Sequence, residues 1–547
     1  MMTQRRIALI LLITLVSRVL VSAQTAAPAP NAPKTLAELQ TRISEILAKP
    51  ELAPAMVGIK VTSLDTGRVL FEEHSAKLLR PASNMKLYTL AAALDKLTPD
   101  YRFKTSVYAP VKPNSSGVIR GDLTIYGRGD PSFAARFNNG DYLKAINDLA
   151  ARIAAAGVKR VEGDLVGDET YFVGPKYGSG WEWEDLTWYY GAEISSLTVN
   201  DNALDLFIKP GSTLNAPAVI TTGPPDPLLT IVNKVTTSAK GLRRQLNIHR
   251  GLGENTVTIV GTIPLEDPGY TGAIGISHPA LLFVYMLRSA LAQQGVVVTG
   301  KSRATGPVPQ PALPIPPELA NTIGAPPPKV QFEIATFDSP LFGVIAAQTL
   351  KPSQNLYTEL ILRTLGKMTT PPATMPPLRQ TSEDLGLEAV KAFLTTAGVR
   401  SESLVLNDGS GLSRGDMITA EATVQLLTFM NKHRYADVFR AALPIAGVDG
   451  TLRNRMRGTA AENNLRAKTG SLSSAASLGG YVTTAAGEKL AFAIIVNNYG
   501  SDVEPRVICI DPIAVLLASF SSKSDAQSGA TTTNGTKPTD KPNPELK

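Results

Sequence analysis

A chain of 547 residues with 43% hydrophobic and 18% charged side chains can bury a large core, and its length alone predicts about three or four domains. The formal charge of +7 comes with no Lys/Arg block, a pattern that argues against nucleic-acid binding. Cys509 is the only cysteine, so no intrachain disulfide can form, and His74, His249, His278 and His433 never pair at metal-ligand spacing, which argues against a zinc peptidase.

Arg5-Arg6, an apolar run from Ile7 to Val21 and the small-residue site Val21-Ser22-Ala23 read as a secretory signal covering residues 1–23. Arg18 interrupts the run, so no permanent membrane anchor is expected. Removing this segment takes three arginines and no acid, lowering the net charge to +4. Export implies a periplasmic or extracellular protein. Residues 24–34, rich in Ala and Pro, read as a spacer.

Leu36, Leu39, Ile43 and Leu47 have helical spacing and predict a helix over 35–48. Strands at 57–61 and 68–71 flank the turn Asp65-Thr66-Gly67. They lead into Pro81-Ala82-Ser83-Asn84-Met85-Lys86, followed by an Ala-rich apolar run of helical composition. Ser83 then sits at the positive end of a helix, with Lys86 one turn on and on the same face. That supplies a hydroxyl, free backbone N–H groups and an amine able to take a proton, which is what serine nucleophilic catalysis requires. A plain helix cap would look the same in isolation, but Ser83 is the only serine followed by lysine three residues on.

The next region reads β-rich. A strand at 121–126 ends in Arg128-Gly129-Asp130, which imitates an integrin motif but reads as a turn. A helix is expected at 143–155, a strand at 163–168, and an all-β unit at 203–263. Trp181, Trp183 and Trp188 lie in one aromatic segment whose simplest use is packing between domains, with sugar stacking as the alternative. A helix at 281–291 and a strand at 295–298 follow, and then residues 306–329, rich in proline, read as an irregular connection. Helices are expected at 342–350 and 512–519, and a hairpin of 480–483 with 490–496. Cys509 lies among Val507, Ile508 and Ile510 and reads as a buried structural thiol. Residues 521–547 have no apolar periodicity and read as a disordered tail.

Two stretches complete a pattern begun by Ser83 and Lys86: Ser353-Gln354-Asn355, and Lys468-Thr469-Gly470 followed by Ser471. In this order the three resemble the signature of the penicillin-binding proteins and serine β-lactamases. From Ser83 to Ser353 is 270 residues, but from Asn355 to Lys468 only 113, so the surplus must fold as inserted domains. That arrangement resembles the low-molecular-mass class C penicillin-binding proteins, peptidase family S13.

The resemblance implies an α+β fold, with a transpeptidase-like antiparallel sheet flanked by helices built from 35–105 and 330–520. An inserted domain would take 106–202 and 264–305, with the 203–263 unit nested inside it. It implies a D-alanyl-D-alanine carboxypeptidase or endopeptidase acting on peptidoglycan peptides, acylated by β-lactams, without cofactor or metal. Ser83 would be the nucleophile, Lys86 its base, Ser353 the proton relay to the leaving nitrogen, and Asn355 a holder of Lys86 and the substrate amide. Lys468 and Thr469 would bind the terminal carboxylate, while a side chain at Gly470 would block substrate from the strand. The N–H groups of Ser83 and Ser471 would form the oxyanion hole. Asp168 resembles the family position that meets a side-chain amine, with an exposed strand-end acid as the alternative; Asp408-Gly409-Ser410-Gly411-Leu412-Ser413 resembles a family motif, with a plain turn as the alternative, and Gly447-Val448-Asp449-Gly450-Thr451-Leu452 resembles one bordering the cleft. Gln354 stands where many relatives have Asp. A serine β-lactamase and a non-catalytic wall-binding scaffold are the rival readings; the chain has no E-x-x-L-N sequence, and a scaffold needs no complete set of three motifs.

Overall fold

The computed structural model describes residues 32–224, 227–306 and 331–525. The expected signal, most of the spacer, most of the Pro-rich connection and the tail from 526 lie outside the described residues. Two bodies of structure, each with its own core, meet at one cleft.

The first is built on a five-stranded antiparallel sheet in the order Arg466–Leu472, Ala475–Thr483, Lys489–Asn497, Met56–Ser63, Val69–Glu73. Both faces are covered, and the alternation along Lys489–Asn497 shows how. Ala491, Ala493 and Ile495 enter a core shared with the helices Met85–Leu97, Asn355–Lys367 and Ala420–Lys432. Leu490, Phe492, Ile494 and Val496 enter a second core closed by the helices Leu36–Leu47 and Asp511–Ser519. Cys509 lies in that second core, where burial pushes its thiol up to about 12. The Met85–Leu97 helix is central: all its residues from Met85 to Leu94, Lys86 among them, are buried, so it is enclosed on every side rather than one-faced.

The second body carries a five-stranded sheet in the order Ser302–Ala304, Leu165–Asp168, Leu123–Tyr126, Lys104–Ala109, Phe332–Asp338. The last strand departs from the expected boundary, which assigned residues 330–520 to the catalytic domain that holds Ser83. It pairs antiparallel with Lys104–Ala109, so the chain enters and leaves this body on neighbouring strands. Two further sheets form the nested β unit. One pairs Thr230–Ser238, Thr256–Pro264 and Gln245–Arg250; the other pairs Tyr270–Gly275, Ala203–Lys209 and Val219–Gly223, carrying the unit past residue 263.

The tail reading also shifts at its start. Ser521 N–H donates to the Pro33 carbonyl at 3.0 Å, and Ser524 is buried, donating from its N–H and Oγ to Glu488 at 2.9 and 2.5 Å. Two polar anchors therefore hold the chain as far as Ser524.

Candidate active site

The turn that presents Ser83 is held on both sides. Ala82, just before it, has a φ of +47°, a strained value for a residue with a Cβ. Its carbonyl faces Gly411, where an added Cβ would lie 1.9 Å from that oxygen. On the other side, a Cβ on Gly470 would lie 2.5 Å from the Pro81 carbonyl and 2.1 Å from Ser477 Oγ. Gly470 is thus needed for packing the edge strand against the Ser83 turn, a different reason from the substrate approach expected from sequence. Ser477 Oγ closes the joint by donating to the Pro81 carbonyl at 2.6 Å and accepting from Asn84 Nδ2.

From this turn the reactive groups converge. Lys86 Nζ donates to Ser83 Oγ at 2.8 Å, to Asn355 Oδ1 at 2.6 Å and to the Ser410 carbonyl at 2.7 Å. Lys468 Nζ donates to Ser353 Oγ at 2.8 Å and to the Thr469 carbonyl at 2.7 Å. Ser353 has a φ of +65°, a second strained residue at the same cleft. Asn355 begins the Asn355–Lys367 helix, where Gln354 caps by accepting Leu356 N–H at 3.1 Å. The other end of the Asn355 amide donates to the Tyr190 carbonyl at 2.9 Å, tying the helix to the aromatic segment.

Both lysines are fully buried. Burial pushes Lys86 down to about 7, opposed by the negative charges of Asp408, Glu359 and Asp416. Burial and repulsion from Lys86 together push Lys468 well below its ordinary value. Asp408 organises the turn between them. It accepts from the N–H groups of Gly411, Leu412 and Ser413, from Ser410 Oγ and, at 2.8 Å, from Trp181 Nε1. The family-like stretch at 408–413 is thus more than a turn, because its Ser410 carbonyl holds Lys86.

The cleft encloses about 390 Å³ and is lined by Ser83, Ser353, Asn355, Thr469 and Ser471, with Tyr189, Tyr190 and Leu412. Thr451, from the second family-like stretch, also lines it and meets Thr469, hydroxyl to hydroxyl, at 2.8 Å. Trp181 hydrogen-bonds to Asp408 and packs against the cluster of Phe172, Ile194, Leu356 and Tyr357, while Trp183 is exposed.

Asp168 is not among the residues lining this cleft. Its carboxylate accepts from the N–H and Oγ1 of Thr170 at 2.9 and 2.7 Å, closing a local turn at the end of its strand. The acid in the cleft wall is Asp185, which sequence reasoning passed over; Arg414 donates to it at 2.9 Å and also pairs with Glu182 at 3.0 Å. Burial raises the Asp185 carboxyl against the pull of Arg414. The available signal was an acid inside an aromatic segment, Trp183-Glu184-Asp185, close to Tyr189 and Tyr190.

Comparison with known proteins agrees with this arrangement. The model of the D-Ala-D-Ala carboxypeptidase 3 (S13) family matches residues 39–314 and 324–519. The D-alanyl-D-alanine carboxypeptidase of Actinomadura sp. strain R39 is 35% identical over 496 residues, covering 89% of this chain and 85% of that protein. The D-alanyl-D-alanine carboxypeptidase DacB of Haemophilus influenzae is 25% identical over 459 residues, covering 82% and 87%. The crystal structure of penicillin-binding protein 4 from H. influenzae has the same fold, with a TM-score of 0.69 at 22% identity over 86% of this chain and 97% of that one. A family match across nearly all the described chain, joined to a relative at this identity, places the protein in the D-Ala-D-Ala carboxypeptidase 3 (S13) family of peptidases.

Proposed function

We propose that this protein is an exported serine peptidase that cleaves D-alanyl-D-alanine bonds in peptidoglycan peptides and is acylated by penicillin on Ser83. The observation that carries this is the contact of Lys86 Nζ with Ser83 Oγ at 2.8 Å, in a site where burial draws the amine toward its free-base form. Ser83 Oγ attacks the carbonyl carbon next to the scissile bond while Lys86 takes the hydroxyl proton. The N–H groups of Ser83 and Ser471 receive the oxyanion; losing one such donor typically costs about 3–4 kcal/mol of transition-state stabilisation. The C–N bond then breaks. The Ser353 hydroxyl protonates the departing nitrogen and is resupplied along its bond to Lys468, and water later attacks the Ser83 ester.

The two amines divide this work through their surroundings. In the free protein Lys86 has three carboxyl groups raising its proton affinity, and Lys468 has only repulsion from Lys86. A substrate carboxylate arriving between Lys468, Thr469 and Thr451 favours the charged form of Lys468. That charge in turn repels a proton from Lys86, so the base is freed as substrate seats. Asp185 supplies a carboxylate for an amine on the side chain of the stem peptide, the role sequence reading gave to Asp168.

Export rests on the residue 1–23 pattern; among the described residues no helix is long and apolar enough to cross a membrane. The test is mass spectrometry after incubation with penicillin and, separately, with a muropeptide pentapeptide. A long-lived adduct on Ser83 and release of one D-alanine are expected. Fast penicillin turnover would reject the peptidase in favour of a β-lactamase, and labelling that persists in Ser83→Ala would reject the nucleophile.

A further inference from the structure

One end of the central sheet gathers positive charge away from Ser83. Arg466 opens the edge strand Arg466–Leu472, and Lys489 opens the strand Lys489–Asn497. On the strand between them, Tyr481 lies opposite Arg466 and Thr483 opposite Lys489. Arg440 approaches from the helix Ala436–Ala442, and Asn431 from the end of Ala420–Lys432. Together they border a chamber of about 150 Å³, backed by the buried side chains of Val482 and Leu490. None of the residues lining it lines the Ser83 cleft.

Donors outnumber acceptors around this chamber. Among the described residues the Arg466 guanidinium and the Lys489 ammonium have no hydrogen-bond or ion-pair partner. Arg440 is held in place, its guanidinium 5.6 Å over the Tyr481 ring and its Nη2 donating to Asn431 Oδ1 at 2.7 Å. The carboxylate that pairs with it at 3.4 Å, Asp437, is 98% exposed, so water screens that pair. Asp65 stands outside the lining and accepts the Lys489 backbone N–H at 3.0 Å. Asn464 spends its amide on the backbone of Thr483, donating at 2.7 Å and accepting at 3.0 Å, which fixes the strand ends around the chamber. Three cations thus border one cavity with no carboxylate among the described residues that line it.

We propose that this chamber binds a phosphate group. Its volume holds one tetrahedral oxyanion and is too small for a sugar or a peptide arm. The guanidinium forks of Arg466 and Arg440 each match two oxygens of such a group, and Lys489 adds a point charge. Three cations exceed what the single charge of a carboxylate neutralises, which favours phosphate. A free phosphate and the phosphodiester of an anionic envelope polymer present the same chemistry. The site also bears on the catalytic strand: Ala467 enters the opposite core, so Arg466 and Lys468 share a face, and an anion held by Arg466 braces the end of the strand that carries Lys468. The proposal is independent of the peptidase reading.

The experiment is calorimetric titration of the full chain at fixed ionic strength with inorganic phosphate, with glycerophosphoglycerol as the diester, and with acetate as the carboxylate control. At least one phosphate probe is expected to bind at a single site, about tenfold or more tighter than acetate, and to raise the melting temperature. Arg440→Gln and Lys489→Glu should each weaken that binding about tenfold, the effect of losing one charge-assisted contact, with penicillin acylation within about twofold of wild type. Acylation reports folding in each variant, so either one alone carries the test. Binding of inorganic phosphate supports the site as one for a free anion, and binding of the diester with the same variant dependence supports a polymer phosphate. Acetate binding as tightly as phosphate, phosphate binding unchanged in both variants, or no binding of either phosphate probe overturns the proposal.

Discussion

The two walls of the cleft hold their lysines in opposite ways. Behind Lys86 stand Glu359, on the Asn355–Lys367 helix, and Asp408 and Asp416, in the loop before Met417, whose charges oppose the effect of burial. Behind Lys468 stands a sheet edge with no carboxylate acting on it, and the amine falls well below its ordinary range. Burial alone would make both amines neutral and equivalent. The asymmetry comes from what lies behind them, and it lets one act as base while the other waits for a carboxylate to charge it.

The comparison breaks most completely if the nucleophile is removed: Ser83→Ala should give no covalent penicillin adduct by mass spectrometry. Lys86→Met should follow, slowing acylation by about 10²–10⁴-fold in stopped-flow measurements, the range for a lost general base. On the opposite wall Lys468→Ala should act mainly on recognition. It should raise KM for carboxylate-bearing peptides about 10–100-fold, the loss of one charge-assisted contact.

A pH profile sharpens the contrast. Lys86 must be unprotonated to accept the Ser83 proton, so acylation should fall as pH drops through about 7. Asp408 raises Lys86, so Asp408→Asn should move that fall to lower pH. Asp416 also raises Lys86, by less than Asp408 does, so Asp416→Asn should move the inflection the same way by a smaller step. The smallest effect belongs to the tail. Truncation after Asp525 keeps the Ser524–Glu488 anchor and should leave acylation and thermal stability unchanged.

Much of this site was legible because its residues lie in short contiguous motifs. Ser83 with Lys86, and Ser353 with Asn355, sit at helix starts, and periodicity also gave the helices 342–350 and 512–519 and the 480–496 hairpin. The helices Ser382–Thr396 and Ala420–Lys432 went unassigned: buried Ser382, Glu383 and Thr423 break their apolar pattern. The reason for Gly470 was also hidden, since it depends on Pro81 and Ser477, which reach it only through tertiary packing. Asp168 and Asp185 illustrate the same limit. Both are acids in the inserted region, and only the fold tells which one reaches the cleft.

The central sheet sets the order in which this protein can become active. Met56–Ser63 has no partner on its inner side until Lys489–Asn497 has emerged, joining residues more than four hundred positions apart. Such pairing is slow, because the loop must close before the contact rewards it. The inserted body has a separate core drawn from residues between 107 and 337, and can consolidate while the sheet waits. Ser83 and Lys86 are local neighbours, but they face Lys468 only once the last strands dock, so an unfinished chain carries no assembled cleft.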